Sequence, residues 1–362
     1  MFVLPMAMAS HHAQAQEVTI TLNPGWTWVS YPRADTLDVT TALQSIPPTE
    51  GDVIKSQTFF ATYMSGMWLG NLQQLIPGKG LMYQSMNPNA VSFVFGAEPP
   101  APAGVIEGLF TVNENGDQVY FSQGNLQYIG SAATPYWKFA DNQWDYFGTT
   151  TGQNSESENV DRDLFGWGTS GYNHNNAAYQ PWSTSGSYSQ YYAYGNSSNN
   201  LYNQNGQADW GYNVISNGGN RENCGWRTLT IAEWNYVFNT RANAASLFGH
   251  GNVNGVNGMI FLPDEWILPE GLSFTSGNSS WINVYSAEQW ALMEANGAVF
   301  LPAAGGRWGT SVDYIGRGYY WSSSCKYVHN AYYVDFLSGY IGIGDYYSRS
   351  SGYSVRLVRN AE

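Results

Sequence analysis

A helix that meets water needs a charged outer face, and this chain has little charge with which to make one. Only 11% of its 362 residues are Asp, Glu, Lys or Arg, against about a quarter in ordinary domains. Aromatic residues make up 16%. That pairing disfavours helical bundles. It also disfavours a solvated disordered chain, which needs high net charge and few rings. Loop-rich β structure with aromatic cores is the expectation. The length has room for two or three domains, each with a core.

The net charge of −13 works against nucleic-acid binding, which needs clustered Lys and Arg at the phosphates. It works equally against anionic membrane surfaces. Beyond the start of the chain no apolar run is long enough to span a bilayer, so membrane insertion is not expected.

Residues 1–15 have the pattern of a secretory leader lacking its basic start. Met1 to Ala9 is mainly apolar, and Ala13-Gln14-Ala15 is a small-residue cleavage pattern before Gln16-Glu17. A short apolar strand is the alternative. The leader implies export, to the cell surface or beyond. No Cys near the cleavage pattern offers a lipid anchor. Cys224 and Cys325 are the only two cysteines. As a disulfide they would contribute about 4–5 kcal/mol in the chain-entropy model. As buried thiols they would contribute only packing. Spacing leaves both open.

Residues 16–97 form one compositional unit, mostly β. Val18, Ile20 and Leu22 alternate with polar residues. Pro24-Gly25 marks a turn before Trp26 to Tyr31, and Asn89 to Phe95 is the last strand. A short helix is expected over Val39 to Ile46. Residues 98–106, with Pro99, Pro100 and Pro102, are a Pro-rich linker.

Residues 107–362 form a second, larger domain. It begins with strands Leu109 to Val112 and Gln118 to Phe121, joined at Asn115-Gly116. Residues from about 148 to 222 are rich in Gly, Asn, Ser and Tyr and are expected to be ordered, ring-packed loops. Thr230-Ile231-Ala232-Glu233 and Ser286-Ala287-Glu288-Gln289 are capping boxes that open two helices. Short strands follow, ending with Tyr353 to Val358.

An ordered series of elements in this domain carries a resemblance. Gly225-Trp226-Arg227-Thr228-Leu229-Thr230 with Glu233-Trp234 comes first, then Phe300 to Arg307. Tyr320-Trp321-Ser322-Ser323, Asn330-Ala331, Phe336 and Ser354-Val355-Arg356 close the series. Together they resemble formylglycine-generating-enzyme-like and Fibrobacter-type major paralogous domains. The resemblance implies an α+β, C-type-lectin-like fold in which two helices flank small twisted antiparallel sheets with long loops. Some domains of that fold are variable proteins of diversity-generating retroelements, whose C-terminal strands and loops carry the ligand-binding residues; 319–356 is similar in position and composition. The first unit, through Gly25 to Pro32, Gly51 to Ser56 and Pro77-Gly78-Lys79-Gly80, is similar to a small β module of secreted surface proteins from gut Bacteroidetes.

The chemistry of the resembled oxidases does not carry over. They use a copper-binding cysteine pair, and neither Cys224 nor Cys325 lies in a counterpart of that motif. No zinc-protease, nucleophile-elbow or Walker motif occurs. Gly166-Trp167-Gly168-Thr169-Ser170-Gly171 matches a dinucleotide fingerprint literally, but Asn173-His174-Asn175-Asn176 continues a loop where a helix is required. His174, His250 and His329 lack metal-ligand spacing. No metal or cofactor is expected, with one position left open: Asp161-Arg162-Asp163 offers carboxylates to a structural calcium or is a solvated acidic turn. No enzymatic activity is expected.

The remaining constellation is C-terminal. Alternation over Tyr332 to Leu337 directs Tyr332, Val334 and Phe336 inward and Tyr333, Asp335 and Leu337 outward. Tyr340, Ile341, Ile343, Asp345, Tyr346 and Tyr347 follow on a Gly-punctuated segment, and Tyr327 and His329 lie before it. Rigid amphipathic rings with small polar neighbours are the composition of recognition surfaces. These eleven residues are the expected contact set for an extracellular protein or glycan. Core packing of the same rings is the competing account, as is a structural role in a surface fibre.

Overall fold

Alternating Ile20 and Leu22 fold as the strand Thr19–Leu22, which pairs antiparallel with Val91–Val94. Both belong to the first of two compact units, Met1–Ala101; the second is Pro102–Glu362. The computed structural model describes residues 18–33, 35–96, 102–172, 179–188, 191–192, 198–277 and 280–361. The leader at 1–15, the linker residues 98–101 and His174 lie outside the described residues.

The first unit is built on a five-stranded antiparallel sheet. Its order is Gly25–Ser30, Gly80–Ser85, Val53–Lys55, Phe60–Met64 and Met67–Gly70. One face is buried through Val29, Leu81, Tyr83, Ile54 and Ala61 in a cluster with Leu43, Ile46, Phe93 and Phe95. The helix Val39–Ala42 is capped by Asp38, which accepts from the Thr41 amide at 2.9 Å. Buried Asp52 accepts from Tyr83 Oη at 2.7 Å, Met86 N at 2.6 Å and Thr49 N at 3.0 Å. Three donors offset the cost of burying its carboxylate.

The second unit is tied together by strands distant in sequence. Leu357–Asn360 pairs antiparallel with both Gln118–Phe121 and Trp226–Thr228. A second sheet has the order Asn283–Tyr285, Phe248–Val253, Val256–Phe261, Val299–Pro302. A third has three antiparallel strands, Gly318–Tyr327, Asn330–Leu337 and Tyr340–Ser348; it is called the C-terminal sheet below.

The α+β arrangement of two helices flanking a twisted sheet is not what forms. The described chain is 37% strand and 11% helical, with strands divided among eight sheets of two to five strands. Both capping boxes close as expected. A cap sets where a helix begins, however, and not how far it runs. The Thr230 helix has five residues, Ile231–Asn235, before a π-helical turn at Tyr236–Thr240. Arg241 then ends it, donating to Val237 O and Leu262 O at 2.8 Å each and to Asp264 at 3.0 Å. The Ser286 helix, Ala287–Ala295, has nine.

Long loops are held by buried guanidiniums. Arg349 donates to Tyr192 O and Tyr327 O, both at 2.9 Å. Arg307 donates to Ser183 O at 3.0 Å and Gly309 O at 2.8 Å. Indoles act likewise: Trp321 Nε1 reaches Phe165 O at 2.7 Å and Trp167 Nε1 reaches Ser322 O at 2.8 Å. Gly166 is a packing glycine, since a Cβ there would lie 2.2 Å from the Tyr191 ring.

Candidate functional site

The C-terminal sheet is locked from within. Tyr320, Trp321, Ser322, Ser323, Ser354, Val355 and Arg356 are all buried. His250, fully buried, places a ring nitrogen 3.1 Å from Tyr340 O and so fixes the start of the third strand. The register shifts once between the middle and third strands, where Tyr333 pairs with Asp345 and Val334 with Ile343. The extra residue is Gly344, at φ +95°, a backbone angle that suits glycine at a bulge.

This sheet corrects part of the expected contact set. Tyr333 is 8% exposed and Asp335 is fully buried. Alternation along the middle strand does occur, but both of its faces are covered. Val334 and Phe336 enter a cluster with Phe121, Trp234 and Phe261. Ala331 and Tyr333 enter another with Trp167, Trp321 and Tyr353. Period-two patterning assigns sides and cannot say which side water occupies. Ile341 and Ile343 also pack partly against the first cluster, and Leu337 is half-buried. Tyr327, His329, Tyr340, Asp345, Tyr346 and Tyr347 are exposed. The His329 ring lies 4.8 Å from that of Tyr188, tilted by 47°.

Two arrangements are assembled on this surface. In the first, the Lys326 ammonium lies 5.2, 5.1 and 5.5 Å from the ring centres of Tyr327, Tyr332 and Tyr346. The second is a cleft of about 350 Å³ lined by Trp308, Tyr314, Arg317, Tyr319, Tyr333, Tyr347 and Tyr353. Tyr314 is 64% exposed and sits at φ 60°, a region that aromatic residues seldom adopt; its ring is 5.3 Å from Trp308. Lys326, Trp308, Tyr314, Arg317, Tyr319 and Tyr353 were not among the expected contacts. Gly309 and Gly316, both at positive φ, bracket Tyr314 and are the one local signal of a shaped loop.

Arg317 is oriented from below. Its Nε donates to Asp335 at 2.8 Å and its Nη2 meets the same oxygen, while the guanidinium covers the Tyr319 ring at 4.9 Å. Asp335 and Asp345 face each other around Gly342, where a Cβ would lie 2.5 Å from one carboxylate and 2.8 Å from the other. Burial, opposed by Arg317 and reinforced by Asp345, pushes the Asp335 carboxyl up to about 6. The Tyr340 hydroxyl bonds Asp345 at 3.2 Å.

Of the remaining candidates, Cys325 lies on the first strand of this sheet, beside Lys326. Cys224 and Cys325 do not form a disulfide; Cys224 packs beneath Gly219, and burial pushes the Cys325 thiol up. Asp161 accepts from Ser131 N at 2.9 Å and Asp163 from Phe147 N at 2.7 Å. No group of three or more acidic, His or Cys side chains suited to a metal occurs among the described residues. No helix of the described chain is long and apolar enough to cross a membrane. No protein-family model, curated protein or solved structure matches this chain.

Proposed function

We propose that this is an exported ligand-binding protein that recognises another protein through its C-terminal sheet. The observation that carries the proposal is the set Tyr327, Tyr340, Tyr346 and Tyr347. These four are 42–48% exposed on the C-terminal sheet, with Tyr346 on the side of Tyr332 and Tyr347 on the side of Ala331 and Tyr333. Rings with two side-chain torsions lose little entropy on contact, and tyrosines are enriched at binding hot spots. The cleft beside Tyr347 accepts one partner side chain as an anchor. The spread of exposed rings over a whole sheet favours a protein partner. Export rests on the leader-like sequence of residues 1–15.

The test is capture of partners from the protein's native surroundings by the wild type and by the triple variant Tyr327→Ala, Tyr346→Ala, Tyr347→Ala. The variant should keep its melting temperature and lose the captured partner. Equal capture by both overturns the proposal.

A second role has one observation of its own. On the first unit's sheet Trp26, Trp28, Phe60, Met67 and Leu69 are 44–76% exposed, an uncommon display of large apolar groups. A fibre or matrix component would use such a face for assembly. Sedimentation of the intact chain over a concentration series distinguishes this role: self-association removed by Trp28→Ser supports it, and a monomer throughout excludes it.

A further inference from the structure

A second cleft, of about 480 Å³, lies in the size range of small-molecule sites, roughly 300–1,000 Å³. It shares no lining residue with the tyrosine-lined cleft. Its floor is the outer side of the hairpin Leu126–Ile129 and Tyr136–Phe139, where Gln127 stands opposite Lys138. Trp144, Tyr146 and Phe147 supply ring walls, and Asp141, Asp145 and Asp161 stand at its sides.

Gln127 is the telling residue. It is 5% exposed, lines the cleft, and its side-chain amide makes no hydrogen bond with any described residue. Buried amides are ordinarily satisfied, so this one presents two donors and an acceptor to whatever fills the cleft. The surrounding polar groups are half-used. Lys138 Nζ bonds Asp141 Oδ2 at 2.7 Å. Asp145 Oδ2 accepts from the Asn142 backbone and side chain at 3.0 and 2.9 Å. Asp161 Oδ1 accepts from Ser131 N at 2.9 Å. In each carboxylate the second oxygen keeps its lone pairs.

The charges restrict the ligand. Three carboxylates repel an anion, and the Lys138 ammonium on the floor is neutralised by Asp141. The carboxylates do not converge as a metal site. The Gln127 amide and the ring walls suit a neutral molecule that donates and accepts hydrogen bonds at many points and has an apolar face; an organic cation is the alternative that the glucosamine arm tests. We propose that this cleft binds a pyranose unit of a neutral saccharide. Vicinal hydroxyls pair with the Gln127 amide and the half-used carboxylates. The C–H face of the sugar lies on Trp144.

The test uses the intact chain and saturation-transfer NMR with the methyl glycosides of glucose, galactose, mannose, xylose and N-acetylglucosamine. Glucosamine and glucuronate serve as the charged arms. At least one neutral glycoside should bind below about 20 mM, and Trp144→Ala and Gln127→Leu should each weaken it about tenfold. Tyr346→Ala, on the other surface, should leave the affinity unchanged. Should Gln127→Leu not fold, Asp141→Ala replaces it, because that side chain is 73% exposed and its loss should weaken binding without unfolding the protein. Absence of binding by every neutral glycoside overturns the proposal. So does tighter binding of either charged sugar by about tenfold, or an affinity indifferent to both cleft variants.

Discussion

At the residue scale, stability rests on a few buried polar side chains doing the work of loop anchors. Arg349 is fully buried, holds two backbone carbonyls and lies over Trp167 at 4.8 Å; burial pulls its pKa down to about 10. Arg349→Met leaves both carbonyls unpaired and should cost about 2–4 kcal/mol in urea denaturation. Arg349→Lys should recover little of it, because a compact ammonium cannot reproduce a planar fork. Asp163 and Asp335 form a pH-sensitive pair of sites, each carboxyl pushed up to about 6 chiefly by burial. Their folded values lie above the unfolded value of about 3.9, so the native state binds more protons between those limits. Their contribution to stability is therefore greatest below about pH 4 and is lost as pH rises through about 6. In denaturation across that window the wild type should lose stability relative to Asp335→Asn as pH rises, because the amide stays neutral; a difference independent of pH would refute the assignment for Asp335.

At the scale of elements, ends and irregularities carry most of the information. The Ser286 box is complete, with Gln289 N donating to Ser286 Oγ at 3.2 Å and Ser286 N to Gln289 Oε1 at 3.0 Å. Ser286→Ala should cost about 1 kcal/mol. Thr230→Ala should cost at least as much, because Glu233 of that box also grips Arg227 at 2.7 and 2.9 Å. These two helix starts were legible from four consecutive residues each. The π turn after Asn235 was not, since it depends on Arg241 reaching Leu262 and Asp264, which are remote in sequence. The bulge at Gly344 was equally hidden. Gly344→Val should destabilise by about 1–3 kcal/mol through strain at positive φ, read as a lowered melting temperature.

At the scale of the molecule, burial separates residues that share one composition. Tyr333→Ala should cost about 3 kcal/mol because it empties a site among Tyr319, Trp321 and Tyr353. The Tyr327, Tyr346 and Tyr347 variants should leave the melting temperature nearly unchanged. A uniform loss across all four would mean the exposed rings are structural. The sequence by itself determined the mostly-β character, because scarce charge and abundant rings leave helices without a wet face. It determined both helix starts, and it located a tyrosine-rich C-terminal segment. The tertiary structure decided the rest. Strands short in themselves became sheets through pairing of Leu357–Asn360 with chain more than a hundred residues earlier. The middle strand of the C-terminal sheet gained a core on each face, which withdrew Tyr333 and Asp335 from solvent. Side-chain alternation is local, whereas exclusion of water depends on what the remainder of the chain brings against each face.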